Sequence, residues 1–350
     1  MNKNNFVNVV GYQLEKVHTG VIKWIMDSQN NSVSLDNKYA VLKKLFAFCG
    51  KSITFNKQDI ESIICTPEFS FGRKRKIDLV IKVNLFSGQL KYIVIEMKVD
   101  SIPYDKQLDG TFQDFVSTIN SDKDTCFMLF LFGSSQVCTV PTNKNFSVCR
   151  IKEIIHFFNH LQIQNTIYFD WIESLIEEKA RLEKVSEFLL ATDNLWDTNY
   201  WLENGYRIWF SLFYYLYNQL KMESNMPEEW EIYSGSNNPV MNWTPGWKSI
   251  VYNDKPLSLY WEFNYEELVL KVKVDNTNPI QREALADFRT KIATICENSP
   301  IKTGKKTKNT YGIYNSLYKW HFNFKEQTFH EIMSNTEDIL KKIHPQLHSL

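Results

Sequence analysis

The chain has 350 residues, which is enough for one large or two modest domains. It carries no net charge, since 40 basic side chains balance 40 acidic ones, and this balance disfavours strong non-specific binding to nucleic acid without excluding local basic patches. Apolar residues make up 43% and aromatic residues 15% of the chain, so we expect a sizeable core, whereas no apolar run is long enough to span a membrane.

Cysteine usage and the N-terminal residues indicate a reducing compartment. The six cysteines contain no Cys-x-x-Cys pair, which argues against structural zinc, and several lie in apolar segments that predict core strands. Residues 1–17 lack a continuous apolar stretch followed by a small-residue cleavage site, so we expect no secretory signal. The sequence therefore predicts a cytoplasmic protein with free thiols.

The N-terminal part begins with two predicted helices. Residues 12–28 show apolar side chains at helical spacing, and Glu15 and His18 lie together on the neighbouring face. Residues 39–48 form the second helical stretch. From its helix, Glu15 either reaches a metal site or remains an exposed surface acid.

A predicted strand and a basic segment follow. Residues 60–71 predict a strand that carries Glu68 near its end, and residues 72–76 are Gly-Arg-Lys-Arg-Lys. The basic segment is either a hairpin tip that touches phosphate or a solvated turn, because charge runs usually keep loops in water.

Two runs rich in β-branched residues, 77–81 and 92–98, predict a β-hairpin. Side chains alternate between the two faces of a strand, so Glu96 and Lys98 share one face. The favoured register leaves the opposite face wholly apolar. It makes three pairs, which are Ile77 with Met97, Leu79 with Ile95 and Ile81 with Ile93. In this register Asp78 lies directly opposite Glu96, with Cβ atoms roughly 5 Å apart.

This register places two carboxylates, Asp78 and Glu96, beside the ammonium of Lys98. Two close carboxylates take up a proton unless a cation lies between them. Mg²⁺ binds through a few carboxylates and keeps open water positions, and a nearby lysine can activate a water or stabilise charge on a phosphoryl oxygen. The arrangement therefore indicates metal-assisted phosphodiester hydrolysis, and the alternative is an exposed hairpin with a cross-strand charge cluster.

A helix and a buried strand are predicted after the hairpin. Pro103 ends the strand region, and Asp105 can cap a helix that starts near Lys106 and carries an apolar stripe. Residues 124–133 are nearly all apolar, which is typical of a strand buried on both faces. The order of one helix, three strands, a helix and a strand predicts an α/β fold.

The second half contains no recognisable catalytic motif. Its patterns predict two amphipathic helices, antiparallel strands within residues 228–275, a helix near 280–297, a basic loop at 301–309, a strand at 311–324 and a last helix. Four aromatic residues either fill a core or stack on unpaired bases, and these are Trp243, Trp247, Tyr260 and Trp261. We interpret this half as a substrate-binding or dimerisation region, with a homodimer as one expected assembly.

The hairpin and the first helix resemble a known family. Ile77-Asp78 followed by Ile95-Glu96-Met97-Lys98 resembles the signature of the PD-(D/E)XK nuclease superfamily. The first helix is similar to the Glu-x-x-His-Ser…Trp-Leu-Leu-Asp opening of one bacterial branch of that superfamily. The matching residues there are Glu15, His18, Trp24 and Asp27, with Thr19 in place of the serine.

The resemblance extends to a few further positions and departs at two. Glu68 stands where the branch often has a glutamate, and Gln107 with Leu108 matches the Gln-Leu that opens its next helix. Lys76 replaces an arginine that often precedes the Ile-Asp, and Thr111 replaces a tyrosine that often lies four residues after the glutamine. Neither departure removes a metal ligand.

The resemblance implies a fold and an activity. Residues 1–165 would form a restriction-endonuclease-like core, with a mixed sheet flanked by helices in the order αβββαβ, and residues 166–350 an α+β C-terminal region. The activity would be that of a nuclease that hydrolyses phosphodiester bonds in DNA with Mg²⁺ or Mn²⁺ as its cofactor. Such enzymes usually leave a 5′ phosphate and a 3′ hydroxyl.

The resemblance also assigns roles to seven residues. The metal ligands would be Asp78, Glu96 and the carbonyl of Met97, with Glu15 and Glu68 as outer or second-metal ligands. Lys98 would orient or deprotonate the attacking water, and Gln107 would be a positioning residue. The alternative to a nuclease is a catalytically silent DNA-binding or protein-interaction module that keeps the fold.

Overall fold

The computed structural model describes residues 5–70, 76–103, 105–119, 123–134, 143–191, 195–203, 208–235, 238–252, 254–274, 279–308 and 312–349. The chain divides into two compact units, Met1–Leu190 and Ala191–Leu350. Most of the basic segment at residues 72–76 lies outside the described residues, so its two interpretations stay open.

The first unit has the predicted order of one helix, three strands, a helix and a strand, with further helices around it. Its elements are α1 (Phe6–Val10), α2 (Glu15–Met26), α3 (Leu35–Phe48), β1 (Ile60–Phe69), β2 (Ile77–Leu85), β3 (Leu90–Lys98), α4 (Asp105–Ile119), β4 (Thr125–Leu131), β5 (Ser147–Cys149), α5 (Ile151–Phe158) and α6 (Thr166–Ala191). The predicted domain boundary at residue 165 precedes α6, whereas the compact unit includes nearly all of this helix. The division into independently folding domains stays a prediction.

The five strands form one mixed sheet in the order β1-β2-β3-β4-β5. Strands β1, β2 and β3 are antiparallel, while β3, β4 and β5 run parallel. All seven residues of β4 are buried, as its continuous apolar run predicts. Ile25 of α2 belongs to the core on one face of the sheet and Phe115 of α4 to the core on the other. This arrangement confirms the predicted restriction-endonuclease-like α/β fold.

The pairing of β2 with β3 confirms two of the three predicted pairs, because Leu79 lies opposite Ile95 and Ile81 opposite Ile93. The third prediction is wrong for Ile77. Its side chain packs in the α4-side core, whereas Met97 belongs to the core on the opposite face. The two strands stop pairing with each other at Leu79 and Ile95, and beyond them the Asp78 carboxylate accepts the Met97 N–H, so Ile77 is not held opposite Met97.

Helix α2 is held in place by polar groups that the N-terminal motif supplies. The imidazole of His18 is fully buried, where its Nδ1 accepts a hydrogen bond from the Trp171 indole at 3.1 Å and its Nε2 donates to the Tyr12 carbonyl at 2.8 Å. An indole N–H can only donate, so these partners fix the Nε2-protonated tautomer. The ring also stacks on Phe132, with centroids 4.0 Å apart.

At the other end of α2, Asp27 ties the helix to the first strand. Its carboxylate accepts a hydrogen bond from the Cys65 backbone N–H at 3.0 Å and from the Gln29 N–H at 2.9 Å. The ammonium of Lys38 donates to the Asp27 carbonyl at 2.8 Å. His18 and Asp27 therefore have the structural role of orienting the helix. Of these three motif residues, Glu15 remains the candidate for a role in the active site.

The second unit is built around a wholly antiparallel sheet of six strands in the order β10-β11-β9-β8-β7-β6. Its elements are α7 (Thr198–Glu203), α8 (Ile208–Glu223), β6 (Trp230–Tyr233), β7 (Val240–Tyr252), β8 (Lys255–Asn264), β9 (Glu267–Lys273), α9 (Pro279–Cys296), β10 (Gly304–Lys306), β11 (Tyr314–His321) and α10 (Phe329–Ile343). The predicted α+β pattern agrees with these elements, except that the second predicted helix corresponds to the two helices α7 and α8.

The helices of the second unit pack on one face of its sheet. Tyr217 of α8 contacts Phe263 and Phe288 of α9 contacts Tyr252, with ring centroids 6.4 and 4.8 Å apart. The core interpretation is confirmed for three of the four singled-out aromatic residues, which are Trp243, Tyr260 and Trp261, and the fourth, Trp247, is 43% exposed.

Two further findings concern the described residues as a whole. None of the helices among them combines the length and apolar character needed to cross a bilayer. The cysteines among them are free thiols, and all of these are buried except the half-buried Cys49.

A first prediction concerns the Asp27 anchor. Asp27→Ala should lower the Tm by roughly 2–8 °C, because two backbone N–H groups lose their acceptor and one of them, at Cys65, is buried. Asp36→Ala is the matched control, since Asp36 is an exposed acid that pairs with Lys57 at the surface. Thermal unfolding followed by circular dichroism would measure both, and equal Tm values for the two variants would contradict the anchoring role.

Candidate active site

The predicted acids and lysine meet where β2 and β3 end. Asp78 lies one residue before the last paired residue of β2, and Glu96 and Lys98 lie just past the paired residue of β3. The Oδ2 atom of Asp78 accepts a hydrogen bond from the Met97 backbone N–H at 2.7 Å. The side chain of Asp78 thus replaces a backbone acceptor, which fixes the position of its carboxylate.

Glu96 is nearly fully enclosed, with 1% of its surface exposed. Its Oε1 atom accepts a hydrogen bond from the Thr111 hydroxyl at 3.2 Å. Burial raises the pKa of Glu96 to about 8, and the charge of Asp78 and a hydrogen bond with that acid act in the same direction. Lys98 and Thr111 lower the same pKa, but by less. Near neutral pH, Glu96 therefore holds a proton readily unless a further cation comes close.

The ammonium of Lys98 lies among oxygen atoms from three residues. It donates to the Met97 carbonyl at 2.8 Å, and it lies 3.8 Å from Asp78 Oδ2 and 3.9 Å from Glu15 Oε1. Only 12% of the Lys98 side chain is exposed, so these ion pairs are poorly screened by water. The lysine is the counter-ion of the acidic cluster formed by Glu15, Asp78 and Glu96.

Glu15 reaches the cluster from α2, as its position on the helix predicts. Burial raises the pKa of Glu15, as do the charges of Asp78 and Asp100, while Lys98 and a hydrogen bond from the Val99 backbone lower it. Thr19, one turn further along α2, donates to the Met97 sulfur at 3.3 Å. This contact keeps the helix against β3 at the level of the site.

Glu68 has its described contacts elsewhere. Its backbone has a positive φ of 47°, and its half-exposed carboxylate pairs with Lys16 and Lys76, both at 3.3 Å. These two lysines lower the pKa of Glu68. The structure does not bring Glu68 into contact with Asp78 or Glu96, and its role as a second-metal ligand stays a prediction.

Gln107 is half-buried early in α4, and its positioning role also stays a prediction. The α4 residue that contacts the cluster is Thr111, one turn further on, which the sequence patterns did not single out as functional. The sequence did contain a signal for Thr111. It lies four residues after Gln107, so both side chains are on the same face of the helix.

The donor chemistry of the site suits a hard divalent cation. The carboxylates of Asp78 and Glu96 and the carbonyl of Met97 are oxygen donors of the kind that Mg²⁺ and Mn²⁺ prefer. No group of three or more His, Cys, Asp or Glu side chains among the described residues is arranged to hold a metal. Two carboxylates and a carbonyl are nevertheless a sufficient protein contribution where water and phosphate supply the remaining ligands. The residues therefore fit such an ion, provided that the Lys98 ammonium moves away from the Met97 carbonyl.

Comparison with known proteins identifies a nuclease superfamily. Residues 4–191, just over half of the chain, match the family model of the PD-(D/E)XK nuclease superfamily. The matched stretch contains α2, the whole five-stranded sheet and every residue of the acidic cluster. Searches of curated proteins and of solved structures gave no significant match.

The second prediction follows from the raised pKa of Glu96. The pKa of Glu96 is about 8 in the folded protein, compared with an ordinary value of 4.5. Protonated Glu96 therefore stabilises the folded state fully below pH 4.5, and this stabilisation is lost as the pH rises through 8. In EDTA, the Tm of the wild-type protein should therefore fall between pH 6 and pH 9 more steeply than the Tm of Glu96→Gln.

Glu61→Gln is the control for this experiment, because Glu61 is an exposed acid on β1 and its loss should leave the pH profile of the wild type unchanged. Parallel Tm profiles for the wild-type protein and Glu96→Gln would show that Glu96 ionises normally in the folded state.

Proposed function

Because the chain belongs to the PD-(D/E)XK nuclease superfamily, we propose that it hydrolyses phosphodiester bonds in DNA with Mg²⁺ or Mn²⁺ held by Asp78 and Glu96. The observation that supports this proposal best is the convergence of both carboxylates, the Met97 carbonyl and the Lys98 ammonium at the ends of two paired strands. In a charge cluster at the protein surface, Glu96 would be exposed to solvent and the Asp78 carboxylate would not need a backbone hydrogen bond.

In this proposal Asp78 and Glu96 hold the cation, whereas Lys98 acts on the reacting atoms. Asp78 is oriented by the Met97 N–H, and Glu96 by the Thr111 hydroxyl, so both carboxylates are fixed before a substrate arrives. Such preorganisation saves the cost of arranging charges during the reaction. When bound, the cation would supply Lewis-acid polarisation of the phosphoryl oxygen and favour ionisation of a water.

Lys98 is the residue nearest to the reacting atoms in this proposal. Its ammonium would orient the attacking water and stabilise the charge that builds on the phosphoryl oxygens. The water oxygen would then form the new bond to phosphorus as the bond to the 3′ oxygen breaks. The water loses one proton and the 3′ oxygen takes one up, so that the products are a 5′ phosphate and a 3′ hydroxyl, as in related nucleases. Glu15, 3.9 Å from the ammonium, would keep the Lys98 side chain directed at the site.

The third prediction tests the cation. Saturating Mg²⁺ or Mn²⁺ should raise the Tm of the wild-type protein by several degrees, because a ligand bound only by the folded state stabilises it. Asp78→Asn should abolish that rise while preserving the fold, since its amide oxygen can still accept the Met97 N–H. Asp36→Asn, at an exposed surface acid, should keep the full rise. An undiminished rise in Asp78→Asn would place the cation elsewhere.

The fourth prediction tests Lys98. Lys98→Ala should slow single-turnover cleavage of plasmid or linear DNA by roughly a hundredfold or more, on the order of 3 kcal/mol of transition-state stabilisation. Lys98→Arg should restore little activity, because a larger, planar guanidinium does not fit the compact site that holds the ammonium among Met97, Asp78 and Glu15. Lys82→Ala is the control on the same hairpin, since Lys82 lies opposite Tyr92 near its other end.

Each cleavage assay includes EDTA and Asp78→Asn as blanks. Cleavage by Lys98→Ala at the wild-type rate would mean that this cluster is not the active site. Absence of cation-dependent cleavage by the wild-type protein on plasmid, linear and single-stranded DNA would favour the silent binding module.

A further inference from the structure

The sheet of the second unit has a second face, opposite to the one that carries α8, α9 and α10. Residues directly opposite each other in a sheet share a face, so the register defines which side chains lie there. We call this the open face, and its rows are Ser258, Lys273 and Tyr314; Tyr260, Lys271 and Ser316; Glu262, Val269, Lys319 and Lys305. The centre of this face is buried, since Tyr260, Glu262 and Val269 are 3%, 6% and 4% exposed, so its accessible side chains lie at the margins, among them Lys273, Tyr314 and Lys305. The described helix contacts, such as Tyr217 with Phe263, lie on the other side.

Aromatic side chains form a platform on the open face. Trp247 stacks on Tyr260 with centroids 4.3 Å apart and planes 6° from parallel, and Trp247 is 43% exposed. Tyr260 covers one side of the indole, so the exposed part is its outer side and edge. Tyr314, 54% exposed, meets the Tyr260 ring edge-on at 6.3 Å. The platform therefore offers two large aromatic surfaces to solvent at one end of the sheet.

Lysines accompany these rings. The Lys271 ammonium lies 5.7 Å from the centre of the Tyr260 ring, and the Lys273 ammonium lies 5.8 Å from the centre of the Tyr314 ring. Lys305 lies directly opposite Lys319 on the neighbouring strand. Lys271 and Lys273 thus place positive charge beside the platform, and Lys305 and Lys319 add charge further along β11, although the protein as a whole is neutral.

Acids offset only part of that charge. Glu262 pairs with Lys271 at 2.9 Å, and Glu267 pairs with Lys319 at 2.8 Å. Glu231 lies in the same row as Glu262, through Asn242, and is a third acid on this face. The four lysines named above therefore exceed the three acids by one charge. The face thus combines flat apolar surfaces with an excess of cations.

This combination fits one kind of occupant. A single nucleic-acid strand presents both unstacked bases, which stack on aromatic rings, and phosphates, which bind lysines, whereas a duplex hides the faces of its bases. We propose that the open face binds single-stranded DNA through Trp247 and Tyr314 with Lys273 and Lys305, an inference that rests on the proposed nuclease function.

The experiment uses the full chain carrying Asp78→Asn, in EDTA, so that binding is measured without cleavage. Fluorescence anisotropy with a labelled oligo-dT should give tighter binding than the same label on a duplex of equal length. Adding Trp247→Ala should weaken oligo-dT binding roughly tenfold, and Trp247→Phe should retain most of the affinity, because any aromatic ring can stack on a base.

Two neighbouring lysines supply a matched pair for the charge contribution. Lys305 lies on the open face, whereas Lys306 lies on the helix face and donates to the Thr290 hydroxyl at 2.8 Å. Lys273→Glu combined with Lys305→Glu should reduce the slope of log K against log salt by roughly 1.4, because two phosphate contacts are lost. Lys306→Glu should leave that slope unchanged.

Several outcomes would overturn the inference. These are absence of oligo-dT binding, unchanged affinity in Trp247→Ala with an unchanged Tm, or an equal loss of slope in Lys306→Glu. A dimer in size-exclusion chromatography that Trp247→Ala dissolves would assign the face to a second copy instead. The test is separable from the proposed function, because cleavage without these binding effects refutes only the open face, and these binding effects without cleavage refute only the nuclease.

Discussion

The organisation of the site depends on one hydrogen bond, from the Met97 N–H to the carboxylate of Asp78 at 2.7 Å. It forms where the backbone pairing of β2 and β3 stops at Leu79 and Ile95. An unpaired buried N–H is costly, so the carboxylate is required there by the sheet as well as by any chemistry. Because the acid completes the ladder, its position is as well defined as that of the strands.

The acids and the lysine of the cluster stabilise one another. Asp78 repels both Glu96 and Glu15, and burial opposes the ionisation of both glutamates. Lys98 offsets this repulsion, but its single charge cannot neutralise three ionised carboxylates, which is why Glu96 holds a proton near neutral pH in the absence of a further cation. Removal of one partner from a buried cluster of charges usually lowers the free energy of unfolding by far more than the intact cluster contributes to it. The cluster is therefore short of positive charge, and that deficit is the physical basis for its attraction to a cation.

Sequence patterns predicted the parts of the molecule that periodicity controls. The alternation of β2 and β3 predicted the register as far as Leu79 and Ile95, the pair that directly adjoins Asp78 and Glu96, and helical spacing directed Glu15 toward the same place. Other details depend on single backbone angles or distant contacts. The positive φ of Glu68 turns its carboxylate toward two lysines, and no local pattern encodes that turn. The contact of Thr111 with Glu96 depends on how α4 packs on the sheet. The periodicity of a single helix or a single strand does not determine that packing.

The buried His18 has a consequence for how the protein is made. Its Nδ1 atom needs the indole of Trp171, a residue 153 positions later in α6. A growing chain therefore carries α2, the complete sheet and all of the acidic cluster well before the partner that fixes α2 has been synthesised. Until α6 emerges from the ribosome, the imidazole lacks its indole donor, and α2 is held only by its other contacts, such as those of Asp27 and Thr19. Correct assembly of the acidic cluster is thus coupled to completion of the first unit, so that partly made chains differ from finished ones at this site.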